Sequence, residues 1–240
     1  MKAPVIEVRD LQLNEAVRDV SFTVAKGEVY ALLGRYGSGK TTLLEMLAGL
    51  RRPTGGTVRV RGADPYTDRD AARSGTVWRD GGLFPGLTVA EIIDTWRRWT
   101  LDPVTRDEAL RLARLTGHAD VPFERLDPGR RRLLDLALAL IGRSDVLFLD
   151  EPTAGLDEAA AREVWSVLLL LAAHGSTVVI TTRDTGEACR ADRVGVLDDG
   201  RLVTGRASAR LGSPAPSGTP APSGTAGRSG SAARHAPHAA

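Results

Sequence analysis

The chain has 240 residues, 32 lysines and arginines against 30 acids, and a formal net charge of +2. That length suits one domain with a sizeable core, and a single cysteine, Cys189, excludes an internal disulfide and fits a reducing compartment. Residues 201–240 hold five arginines and no acid, so the first 200 are mildly acidic, which argues against nucleic acid as a partner.

The start, MKAPVIEVRD, carries charges where an export signal needs an apolar core. VIEVRD and VSFTV read as short edge strands joined by the link LQLNEAVRD, residues 11–19. GEVYALLG is a buried strand that leads through a glycine-rich turn into the helix KTTLLEMLAGL, and GGTVRVRG is a further strand of antiparallel type. From about residue 87 to 142 the pattern is helical: TVAEIIDTWRRW, VTRDEALRLARL and LLDLALALIG. The strand DVLFLD, the helix EAAAREVWSVLLLLAAH, the strand STVVITT and a short helix near 185–190 follow. RVGVLDDGRLVTG closes the pattern as a hairpin. The longest apolar run, Val164 to Ala173, is about half a membrane span and reads as a buried helix. Strand–helix alternation with near-continuous apolar strands predicts a parallel sheet covered on both faces. The tail repeats PAPSGT at 214–219 and 220–225; its Pro/Gly/Ser/Ala composition buries too little apolar surface to offset ordering entropy, so 208–240 is expected to be disordered.

GRYGSGKT, comprising Gly34, Arg35, Tyr36, Gly37, Ser38, Gly39, Lys40 and Thr41, fits G-x-x-x-x-G-K-[ST] and sits between a predicted strand and a predicted helix, the context this motif requires. Its glycines let backbone N–H groups, continuing to Thr42, wrap a phosphate chain; Lys40 reaches the terminal phosphates and the Thr41 hydroxyl is placed to ligand Mg2+. DVLFLDE ends an apolar strand in Asp150, a second Mg2+ candidate, with Glu151 beside it as a candidate general base for an attacking water. A helix start also stands out in RLDPGRRRLLDLALAL: Asp127 is a good N-cap and Pro128 suits the first helical position. The positive end of a helix dipole favours an anion, and here the chain puts its own carboxylate there.

LLGRYGSGKTTLLEMLAGL, GGLFPGLTVAEII, RRRLLDLALALIGRSDVLFLDEPTAGLD and ADRVGVLDDGRLV together resemble the ATP-binding subunit of an ABC transporter, of the small-exporter, drug-resistance-like type. The match runs over about residues 1–205. The resemblance implies an α/β P-loop NTPase core with a mostly parallel sheet, an N-terminal antiparallel β subdomain and an inserted α-helical subdomain at about 80–142, within an ATP-binding domain of residues 1–207. It implies a head-to-tail dimer, homo- or heteromeric, in which each ATP lies between one chain's phosphate loop and the other's signature segment. The signature here is Leu126, Asp127, Pro128, Gly129 and Arg130.

Four segments depart from the family pattern. Asp127 stands where a serine hydroxyl reaches the γ-phosphate, and Pro128 replaces a glycine and removes an N–H donor. TVWRDGG has Arg79 at the place of a glutamine near Mg2+ and the water, and arginine has no acceptor atom. TTRD has Arg183 in place of a histidine that touches the γ-phosphate. The link at 11–19 has no aromatic to stack on the adenine, leaving Tyr36 as the substitute. Either the site binds ATP and hydrolyses it slowly, or Asp127 of one chain meets Arg79 and Arg183 of the other in a compensating exchange of charge. Three altered positions around one phosphate favour impaired hydrolysis, with Glu151 retained. Asp157 matches the loop that touches the opposite site and also reads as a helix N-cap. Trp96 and Trp99 fall in the helical lobe where the family docks its membrane subunit, and equally suit core packing.

The expected function is therefore that of an ATP-binding subunit, using ATP and Mg2+, that couples dimer closure and hydrolysis to transport through an integral membrane permease. Its expected place is the cytoplasmic face of the cell membrane. The alternatives are a non-catalytic ATP-binding partner of an active sister subunit and a soluble relative acting on ribosomes or DNA.

Overall fold

The computed structural model describes residues 4–205; the tail expected to be disordered lies outside them. Strands β1 (Pro4–Leu13) and β2 (Val17–Ala25) are longer than the sequence suggests, and only residues 14–16 turn between them. Residues on both sides of the turn continue the ladder, down to Leu13 opposite Val17, despite irregular register. A third strand, β4 (Gly55–Val60), pairs antiparallel with β1, giving the order β2-β1-β4.

The second sheet has the order β5-β6-β7-β3-β8-β9. It is built from β3 (Val29–Leu33), β5 (Ser74–Val77), β6 (Val146–Asp150), β7 (Thr177–Thr182), β8 (Arg193–Asp198) and β9 (Arg201–Gly205). The first five run parallel; β9 returns antiparallel beside β8. Every residue of β3, β6 and β7 is buried, as near-continuous apolar runs covered on both faces require. β5 was not evident in the sequence: four residues, one of them Gly75, are too few to show alternation, and only pairing with β6 makes them a strand.

Successive residues of β3 serve opposite cores. Tyr30 and Leu32 join the antiparallel sheet and α1 (Lys40–Leu47), through Phe22, Leu43, Leu44 and Phe148. Val29, Ala31 and Leu33 join the helical side, through Leu134, Ala137, Trp165 and Leu168. That side holds α3 (Val89–Trp99), α4 (Arg106–Leu112), α5 (Pro128–Leu140) and α6 (Glu158–Ala173). Two short helices, α2 (Arg69–Ala72) and α7 (Thr185–Ala188), complete the set.

The helices on that side start at side-chain caps. Thr88 and Glu91 form a reciprocal capping box on α3, Thr105 caps α4, and Asp157 caps α6 through Ala160 N–H at 2.8 Å. The parallel strands β3, β6 and β7 all end at one edge. Residues 34–41, 150–151 and 183 come together there because they leave those strand ends, the usual position for a ligand crevice in an open α/β sheet.

Candidate functional site

The turn after β3 holds its shape by close backbone approach. Gly39 has φ 96°, and a Cβ there would lie 2.1 Å from the Ala16 carbonyl oxygen, so the β1–β2 turn seats directly against residues 34–41. Lys40 is buried, and its ammonium donates to the carbonyls of Gly34 at 2.9 Å and Arg35 at 2.8 Å. Burial lowers its pKa, with Glu151 and Asp150 pulling the other way. The loop's own carbonyls thus hold the cation in place at the centre of the turn.

Asp150, buried at the end of β6, accepts from Thr41 Oγ1 at 3.2 and 3.0 Å, and also from Thr181 Oγ1. A hydroxyl and a carboxylate in contact at the mouth of a phosphate-type loop form the hard oxygen set that Mg2+ prefers, so the residues present fit that ion. Glu151 follows in the left-handed region, φ 46°. Its N–H donates to Thr181 Oγ1 at 3.0 Å and to the Thr181 carbonyl at 3.2 Å, which fixes the peptide and turns the side chain away from the sheet.

That side chain has intrachain partners. Glu151 Oε2 lies 2.8 Å from Arg183 Nη2 and 3.7 Å from Arg79 Nε. The two arginines at the altered positions therefore both converge on the candidate general base. Arg79 is itself held from α5: buried Arg132 donates to the carbonyls of Trp78 and Arg79, each at 2.7 Å. A cavity of about 260 Å3 is lined by Ala16, residues 36–42, Arg79, Asp150 and Glu151. Tyr36 on its rim is 85% exposed, so its ring is free to meet a base or another chain.

The segment 126–130 lies outside that cavity. Leu126 is buried. Asp127 caps α5, with Oδ1 accepting from Arg130 N–H at 2.8 Å and the other oxygen meeting the Arg130 guanidinium. Arg130 Nε also lies 2.5 Å from His118 Nε2. Burial works to raise the Asp127 pKa, but the Arg130 amide and guanidinium outweigh it and hold the carboxyl below its ordinary value. Gly129 is required by packing: a Cβ would lie 2.8 Å from Ala160 Cβ, where α5 crosses the first turn of α6. The end of α5 thus offers no N–H from Pro128 and directs that of Arg130 to its own cap.

Three groups that matter to this site escaped the sequence. Arg132 is one arginine in a run of three, Thr181 is the next-to-last residue of an apolar strand, and Glu187 lies in a four-residue helix. A polar residue near the end of a buried strand was the one usable signal, and it applied to Thr181.

The fold and the loop define the class: a P-loop nucleotide-binding core with an antiparallel β sheet and a cluster of helices added to it. The family model for ABC transporters matches residues 17–154, and the chain belongs to that family, as an ATP-binding subunit. Nucleotide binding comes with that membership. The chain is 41% identical over 195 residues to the Nod factor export ATP-binding protein I of Burkholderia lata, covering 78% of this chain and 64% of that protein. It is 37% identical over 215 residues to the daunorubicin/doxorubicin resistance ATP-binding protein DrrA of Streptomyces peucetius, covering 83% and 64%. The chain thus spans a little under two thirds of these relatives. Among solved structures, cbiO1 of Clostridium perfringens, part of the ABC transporter complex cbiONQ, superposes with a TM-score of 0.75 at 26% identity, covering 84% of this chain and 88% of that one.

Proposed function

We propose that this chain binds Mg-ATP at the 34–42 loop and serves as an exporter's ATP-binding subunit with slow intrinsic hydrolysis. The observation that carries this reading is the meeting of Lys40, the Thr41–Asp150 pair and Glu151 in one cavity. The loop N–H groups and Lys40 bind the phosphate chain, and Thr41 and Asp150 hold Mg2+, which neutralises charge on the terminal phosphates. Glu151 is the proton acceptor for the water. Arg183 and Arg79 both meet its Oε2, so that oxygen is open to the water's proton only when the pairing loosens, which leaves Oε1 as the acceptor while it holds.

The same contacts argue against the compensating exchange of charge. Asp127 is engaged by Arg130, and Arg79 and Arg183 by Glu151, each within the chain. An ATP-binding partner of a more active sister subunit is the second reading, and the self-capped end of α5 favours it. The names of the relatives, one for Nod factor export and one for drug resistance, support an export role and a membrane permease as partner.

We assign the permease contact to the groove of about 450 Å3 between β5 and the helices, lined by Trp78, Phe84, Trp96 and Asp135. Trp96 packs edge-on against Phe84 at 5.5 Å and contributes to the core, whereas Trp99 is 77% exposed beside it. Among the described residues no helix is long and apolar enough to cross a membrane, so the permease would supply the span. We further assign residues 1–207 to one ATP-binding domain with a helical subdomain at about 80–142, working as a dimer at the cytoplasmic membrane face.

The test is Mg-ATP binding together with steady-state hydrolysis, using Lys40→Ala and Glu151→Gln as controls. Binding that Lys40→Ala weakens supports the assignment; turnover equal to the controls supports the sister-subunit reading; absence of binding overturns both.

A further inference from the structure

Glu187 takes no part in the nucleotide cavity, yet its carboxylate accepts hydrogen bonds from three different residues. Oε1 accepts from Thr153 Oγ1 at 2.5 Å and from the indole Nε1 of Trp165 at 3.1 Å; Oε2 accepts from Thr182 Oγ1 at 2.5 Å. Each donor belongs to a different element. Thr153 lies two residues beyond Glu151, in the segment that runs to the Asp157 cap of α6. Thr182 is the last residue of β7 and precedes Arg183. Trp165 is 2% exposed, in the middle of α6.

These bonds form a path away from the nucleotide loop. Gly34 N–H, the first donor of that loop, goes to the Thr182 carbonyl at 3.2 Å. Thr182 reaches Glu187, and Glu187 reaches Thr153 and Trp165. Asp184 Oδ1 accepts from Glu187 N–H at 2.9 Å, which fixes the short helix that carries the carboxylate. Both members of the Glu151–Arg183 pair therefore sit on segments anchored to the same side chain.

We infer that Glu187 is a positioning residue that locks the Glu151 and Arg183 segments together and transmits nucleotide occupancy to residues 153–157 and α6. The inference rests on the nucleotide site proposed above. A phosphate that draws Arg183 off Glu151 moves residue 183 against Thr182, and a half-buried carboxylate held by three donors from three segments passes that movement on instead of absorbing it.

The test uses the indole N–H resonance of Trp165, one of four tryptophans, assigned with Trp165→Phe, while Mg-ATP binding is measured separately. Trp165 lines no part of the nucleotide cavity. Mg-ATP should nevertheless shift its resonance in the wild-type chain. Thr182→Val cuts the path upstream and leaves the Trp165–Glu187 bond in place, so the shift should fall below about half its wild-type size with nucleotide still bound. Glu187→Gln keeps an acceptor for Trp165 and Thr153 and can donate to Thr182, so it should retain most of the shift, even where Thr182→Val proves too unstable to study. Bound nucleotide with an unmoved Trp165 resonance overturns this inference alone. An undiminished shift in Thr182→Val overturns it too. If Mg-ATP does not bind, the functional reading falls and takes this inference with it.

Discussion

Asp135 lies on the buried side of α5, 3.5 Å from the Arg132 guanidinium and directly beneath Gly81, where a Cβ would lie 2.4 Å from its Oδ2. Burial pushes its carboxyl up from 3.8 to about 6, against the opposing pull of Arg132 and the Gly82 N–H. Burial likewise lowers the Arg132 pKa, with Asp135 the first of the acids that oppose it. Both partners therefore indicate that desolvation outweighs their attraction.

The sign of the resulting pH dependence follows from linkage. The folded chain holds the Asp135 proton more tightly than the unfolded chain does. As pH rises from about 4 to about 6 the unfolded carboxyl ionises first, and folded stability declines across that window. At about 1.4 kcal/mol per tenfold change in proton affinity, the full effect is about 3 kcal/mol, and partial solvent access reduces it to roughly 1–3 kcal/mol. Asp135→Asn removes this titration. Its stability relative to wild type should rise by that amount between pH 4 and 6 and stay level above. The loss of a partner for Arg132 shifts the whole curve without changing its slope. Urea unfolding of both proteins, followed by tryptophan fluorescence at several pH values across the window, measures the difference. Parallel curves would refute the argument. A variant that loses ground as pH rises would show that the ion pair outweighs its desolvation.

Lys40→Ala should weaken Mg-ATP binding by at least about tenfold, read by titration calorimetry, because Lys40 is buried at the centre of the loop whereas the loop's other cation, Arg35, is exposed. Arg183→His should raise steady-state hydrolysis above wild type by freeing the Glu151 carboxylate; an unchanged or lower rate would count against the engaged-base account. Asp127→Ser should change stability by no more than about 0.5 kcal/mol, since serine caps nearly as well, and should strengthen nucleotide-dependent association in light scattering. Weaker association would restore the exchange-of-charge reading. Mg-GTP should displace Mg-ATP with an affinity within about fivefold, because only Ala16 and the exposed Tyr36 are available to a base among the cavity residues. A strong preference for adenine would point to a contact this cavity does not contain.

The phosphate loop, Asp150, Glu151 and the α5 cap were legible in the sequence because each rests on local chemistry. Glycines permit one turn, a lysine and a threonine follow at fixed spacing, an apolar strand ends in an acid, and Asp-Pro opens a helix. The long helices were legible because their apolar faces repeat along one element. The strand at 74–77 was not, since its four residues acquire meaning only from β6 beside them. Nor was the fate of the two unusual arginines. From the sequence, Arg79 and Arg183 read as groups aimed at a phosphate. In the fold, chain segments separated by 72 and 32 residues converge, and the acid at the strand end is the partner both arginines find first. Arg132 and Glu187 belong with them: their roles are to hold backbone and hydroxyl groups of other elements, and a sequence records those residues without recording what lies opposite. Local backbone and capping preferences act over a few residues and can be read along the chain. Long-range ion pairs and buried acceptors are chosen by packing, and only the folded chain decides them.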